Sequence, residues 1–152
     1  MHLGKGFAMQ HQCKVTVLET TCSKALQQEY LADPNSGPCP CFKAGDEFLF
    51  QRTPEHDDYY HLGRGTRVSD GGDWPCGEAW DAINRYIYTA LQGGSIMHHW
   101  TRDERQMIAC CNDGTRPVIY KIERIDVPEH EEEAAWLAEQ NFTNTANEAY
   151  VG

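Results

Sequence analysis

Alternation of apolar and polar positions predicts four strands, at 13–19, 46–52, 106–111 and 117–125. Lys14-Val15-Thr16-Val17-Leu18-Glu19 alternates and is rich in β-branched residues, and Phe48 and Phe50 share a face. Two further runs flank Asn112-Asp113-Gly114-Thr115-Arg116, where Asp-Gly favours a tight antiparallel turn. Val118, Tyr120 and Ile122 fall on one side of the second run.

A different period predicts a helix over 77–92. Ala79, Trp80, Ile83, Ile87, Ala90 and Leu91 recur at helical spacings with Tyr86 alongside, and Gly93-Gly94 supplies the stop. A shorter helix over 24–30 has Thr21 or Ser23 as its cap and ends before the turn-forming 33–38. Pro128 opens an acidic helix from 129 to about 140 with Glu131-Glu132-Glu133 in its first turn. Residues 53–74 carry no periodicity and are rich in Gly, which predicts a long loop.

The expected fold class is α+β: a small antiparallel twisted sheet packed by one long amphipathic helix and shorter helices. Its expected core is Val15, Val17, Phe48, Phe50, Trp80, Ile83, Ile87, Leu91, Val118, Tyr120 and Ile122. A frayed segment at 1–12, one globular domain at 13–126 and an acidic C-terminal helix and tail at 127–152 divide the 152 residues.

Charge narrows the partners. Thirteen Lys and Arg stand against 23 Asp and Glu, a net −10, which argues against phosphate contacts with nucleic acid and against an anionic membrane surface. A hydrophobic fraction of 40% argues against wholesale disorder. No run approaches the roughly 18 apolar residues of a spanning helix. Residues 1–12 lack the apolar core of a secretory signal, so the expected compartment is cytoplasmic, where thiols stay reduced. Seven cysteines, an odd number, fit that better than a fully paired secreted framework.

Gly37-Pro38-Cys39-Pro40 with Phe42, Gly45-Asp46 and Phe48, then Pro75-Cys76 with Ala79-Trp80, form the first half of a longer pattern. Ala109-Cys110-Cys111-Asn112-Asp113-Gly114-Thr115-Arg116-Pro117-Val118 and Lys121-Ile122-Glu123-Arg124 complete it. The pattern resembles that of an uncharacterised family of small bacterial and archaeal proteins, over roughly 13–125. The loop at 53–73 is longer than in that family, and the tail after Ile125 is peculiar to this chain. The resemblance implies a compact domain and no particular activity.

Cysteine placement is the strongest chemical signal. Cys39 and Cys41 sit two apart in a turn stiffened by prolines, and Cys76 stands at the start of the 77–92 helix. There the helix end would favour its thiolate, making it the most thiolate-like of the set. Cys110 and Cys111 are adjacent on a strand and point to opposite faces, so only one can share a site with the others. If the three segments meet, Cys39, Cys41, Cys76 and one of Cys110 or Cys111 give four thiolates, suited to zinc or an iron–sulfur cluster. His98 and His99 are the expected non-thiolate ligands. The spacing matches neither a zinc ribbon nor a ferredoxin run.

Three readings follow. The first is a cysteine-thiolate metal-binding protein, as a small metalloenzyme or an accessory subunit of a redox system. The second is a metal-free thiol/disulfide protein. The third is an interaction module, with a protein partner or a second copy of the chain, whose cysteines only pack. No sequence pattern assigns a nucleophile, a phosphate loop or a dinucleotide site.

Overall fold

The central pairing joins the first described strand to the last. In a computed structural model, which describes residues 10–51, 65–128 and 138–139, β1 (Gln10–Thr20) runs antiparallel to β5 (Val118–Val127), from Gln10 opposite Val127 to Thr20 opposite Val118. On the other side of β1 lies β2 (Glu47–Phe50), followed outward by β3 (Gly65–Arg67). Beyond β5 lies β4 (Gln106–Cys110). The sheet is five-stranded and antiparallel throughout, in the order β3-β2-β1-β5-β4.

Register explains which side is buried. Val15 faces Phe48 on one neighbour and Ile122 on the other, while Cys13 faces Phe50 and Val17 faces Tyr120. Directly opposed residues share a face, so these side chains form one apolar layer. The intervening Lys14, Glu47, Lys121 and Glu123 form ion pairs on the opposite face, at 3.2 to 3.7 Å. A β-bulge between Val17 and Glu19 then shifts the phase, which returns Thr20 to the side of Val118.

Two helices, α1 and α2, accompany the sheet among the described residues. Ser23 caps α1 (Lys24–Tyr30) by accepting the Leu26 N–H, as expected for a hydroxyl at this position. α2 (Gly77–Leu91) buries Ala79, Ile83, Tyr86, Ile87, Ala90 and Leu91 and packs across β1, β5 and β4. Every expected core residue is buried except Trp80, which is half-buried and stacks on Phe50. Cys13, Phe42 and Ile96 join that core.

Several boundaries differ from the sequence expectation. β1 starts at Gln10 rather than 13, because β5 continues to Val127 and gives residues 10–12 partners. The segment expected to be frayed, 1–12, thus overlaps β1 at residues 10–12, and its first nine residues fall outside the described residues. β3 lies inside the stretch expected to be a loop, where Gly65 passes against the Phe50 ring so closely that a Cβ would collide with it. The Asp-Gly connection is not a two-residue turn. It occupies 111–117, where Asp113 accepts the N–H and hydroxyl of Thr115 at 2.9 and 3.0 Å and the Arg116 guanidinium at 3.0 Å. The acidic helix expected from 129 to about 140 and the remainder of the 53–74 loop fall outside the described residues, save Ala138 and Glu139.

Candidate thiol site

Three connections meet at one end of the core. The first is the turn carrying Cys39 and Cys41. Gly37 enters it at φ +75°, a conformation that glycine adopts without strain. The Gln27 side chain holds Gly37 at both backbone groups, donating to its carbonyl and accepting its N–H, each at 2.9 Å. The second connection is 111–117, and Gln27 also reaches it, at the Thr115 hydroxyl (3.4 Å). The third is the start of α2, tied to the second where Asn112 donates to Glu78 at 3.2 Å. Gln27 is fully buried although polar, and apolar periodicity gives no signal for it.

The thiols arrive by these routes. Cys76 is the N-cap of α2, its sulfur accepting the Ala79 N–H at 3.4 Å, and its carbonyl is held by the Trp74 indole N–H at 2.7 Å. The Cys39 sulfur accepts the Cys41 N–H, and the Cys111 sulfur accepts the Val118 N–H, again at 3.4 Å each. Three thiols on three segments thus each receive a backbone donor. Cys76 also lines an open cleft of about 390 Å³ with Trp74, Pro75 and Trp80.

Charge couples some of these groups. Burial pushes the Cys41 thiol up, and Cys39, by charge and by hydrogen bond, and Cys76 push it further, against the attraction of Arg116. Burial likewise pushes the Tyr120 hydroxyl far above its ordinary range, followed by Cys111, Cys76, Cys39 and Cys41. The Arg116 guanidinium, paired with Asp113, also feels Cys39 and Cys41. Tyr120 is buried with its ring against Phe42 and Trp74, at 5.4 and 5.8 Å between centroids. Its hydroxyl is buried without a hydrogen-bond partner.

Of the residues singled out from sequence, Cys39, Cys41, Cys76 and Cys111 lie on the three connections described above, Cys41 exposed and the other three half-buried. Cys110, the last residue of β4, is exposed, as the alternation of neighbours requires. His98 and His99 are not brought to the thiols. They follow the far end of α2, a 15-residue helix about 22 Å long. There His98 contacts Glu104 at 2.7 Å and stacks on His99. Cys13 is a core residue whose thiol burial pushes far up. Among the described residues, no three His, Cys, Asp or Glu side chains already stand close enough to share a metal ion, and no disulfide is formed. No described helix is long and apolar enough to cross a membrane.

No family model, curated protein or solved structure matches this chain. The family resemblance therefore rests on the motifs quoted above.

Proposed function

We propose that this chain is a cysteine-thiolate metal protein in which Cys39, Cys41, Cys76 and Cys111 hold zinc or an iron–sulfur cluster. One observation carries the reading. Cys39, Cys76 and Cys111, on three separate segments, each accept a backbone N–H. A neutral thiol gains little from such a donor, whereas a thiolate gains a charge-assisted bond, the outer support that metal-bound sulfur requires. The donor set is all sulfur, which suits zinc and iron over magnesium or calcium. Because no three donors among the described residues already share a position, binding calls for rearrangement of the cysteines.

A second reading has its own support in the Cys39-Pro40-Cys41 turn, where the Cys41 N–H donates to the Cys39 sulfur and the two thiols sit two residues apart. These two sulfurs would form a disulfide by passing two electrons and two protons to an external acceptor disulfide.

Metal and acid-labile sulfide analysis of anaerobically purified protein separates the readings. Iron with sulfide identifies a cluster, and zinc at one per chain a mononuclear centre. Cys76→Ser and Cys111→Ser should lose the metal, and Cys110→Ser should keep it. A reduced wild-type chain that binds neither zinc nor cobalt(II) at stoichiometric concentration overturns the metal reading and leaves the dithiol.

A further inference from the structure

We propose that the open edge of β4 pairs with the same strand of a second copy of this chain, about a two-fold axis at Ala109, so that one sheet runs through both copies. Two backbone bonds fix which groups face that edge. The Arg124 N–H donates to the Arg105 carbonyl at 2.8 Å, and the Cys111 N–H to the Val118 carbonyl at 3.3 Å. Hydrogen-bonded positions alternate along an antiparallel ladder. Arg105, Met107, Ala109 and Cys111 therefore turn their backbone groups to β5, and Gln106, Ile108 and Cys110 turn theirs outward. Gln106 is already satisfied, its N–H by the Asp103 carbonyl at 3.0 Å and its carbonyl by the Thr101 hydroxyl at 2.8 Å. Ile108 and Cys110 keep two N–H and two C=O groups with no partner among the described residues, and both residues are exposed. The other edge of the sheet is closed by the chain itself. At β3 the Arg67 N–H reaches the Gly72 carbonyl at 2.7 Å, and the Trp74 N–H reaches the Gly65 carbonyl at 3.2 Å.

A second copy fits these four groups. With the two Ala109 residues opposite each other in antiparallel strands, Ile108 of each copy lies opposite Cys110 of the other, and the two pairs exchange four backbone bonds. Ile108 then meets Cys110, which already lies beside Ile119 in its own sheet, so the pairing also covers exposed apolar surface. Gln106–Cys110 carries no charge, proline or bulge, the devices by which edge strands avoid one another. Charge favours the same occupant. Residues 101–117 hold three arginines against three acidic side chains, a neutral stretch in a chain of net −10, so two copies meet here without the repulsion that the rest of the molecule carries. Five residues on each side fall well short of the roughly 20–30 of a standard interface, so the pair is a reversible one. Cys110 lies outside the proposed thiol set, and failure of either reading leaves the other standing.

Sedimentation equilibrium of the full chain under reducing conditions, from about 5 to about 500 µM, should show a monomer–dimer equilibrium. Over the same range, hydrogen exchange read by NMR should slow at the Ile108 and Cys110 amides as concentration rises. The Met107 and Ala109 amides, bonded within the chain, should be protected throughout. Ile108→Pro removes an outward donor where an edge strand tolerates proline, and should abolish the dimer with the urea midpoint of the monomer kept. Ile108→Lys should abolish it by charge, and keeps the test open if the proline variant does not fold. Ile108→Cys, oxidised with glutathione disulfide, should give a dimer linked between positions 108 and 110, because this register sets their Cα atoms about 5.5 Å apart. A chain that stays monomeric at the highest concentration, a dimer that survives both edge variants, or linkage of position 110 only to its own counterpart would each overturn the proposal. Protection of the Ile108 and Cys110 amides that does not change with concentration would show that one chain covers its own edge, and would overturn it as well.

Discussion

Gln27 shows how one polar side chain can set the geometry of a site it does not enter. Its amide satisfies both backbone groups of Gly37 and touches Thr115, so the turn bearing Cys39 and the connection following Cys111 share one buried anchor. Gln27→Leu would leave the Gly37 N–H and C=O without that partner, and each unsatisfied group costs about 1–3 kcal/mol. The expected result is a loss of about 2 kcal/mol or more in urea unfolding and weaker zinc uptake by a variant that still folds. Acid should also act through individual residues. Burial works against the Asp126 carboxylate, but the His11 hydrogen bond and Arg124 hold its pKa below the usual range. Asp113 is held down chiefly by the Thr115 N–H. A depressed carboxylate pKa adds stability that is complete above the unfolded value of about 3.9 and disappears as pH falls through the folded value. Unfolding free energy should therefore be flat on this account from pH 7 to about 5 and fall below about 4. Asp126→Asn should flatten part of that fall, and an unchanged acid limb would show that the cluster has no such role. At this scale the sequence was informative about one pair: alternation required Cys110 and Cys111 to part company, and Cys110 is exposed where Cys111 is half-buried. It was silent on Gln27, whose role depends on a bond to a residue ten positions away.

α2 carries the clearest sequence signal and two kinds of prediction. Its boundaries, Gly77–Leu91, lie within one residue of the stretch read from periodicity, because the apolar positions and the Gly93-Gly94 stop agree. Ile83→Ala or Ile87→Ala should cost about 2–5 kcal/mol, since both are fully buried. A change within error in denaturant unfolding would contradict that packing. Cys76 serves α2 differently, as its cap. Serine is a favoured cap and alanine a poor one, so Cys76→Ser should keep the stability of the metal-free fold while Cys76→Ala loses about 1 kcal/mol. Both should lose the metal, which separates the structural duty of this residue from its chemical one. β3 was not legible, because a three-residue strand opening on glycine offers no alternation to detect. Nor was the meeting of the three connections, because local pattern marks strands without saying which will be neighbours. That β1 lies between β2 and β5 is what brings the turn after α1 to the connection before β5.

At the scale of the molecule, a metal bound through residues 39, 41, 76 and 111 would fasten three distant parts of the chain. Free zinc at a thousand times its dissociation constant adds about 4 kcal/mol to the folded state. For a chain of this size that raises the thermal midpoint by about 10 °C, and a chelator should reverse it. A midpoint insensitive to zinc would mean that the ion does not bind the folded form.

Strand order also governs when this protein can begin to exist. β1 is among the first described segments to leave the ribosome, yet its longest partner, β5, is the last described strand. Pairings between distant segments close large loops and slow folding. During synthesis β1 can gain β2 early, but its other edge stays open until Val127 has emerged. An unpaired edge of that kind invites association with neighbouring nascent chains. Cys39, Cys41 and Cys76 are all translated within this interval, before Cys111 arrives beside them. The cell therefore meets these thiols first on a chain whose central strand pair is still incomplete.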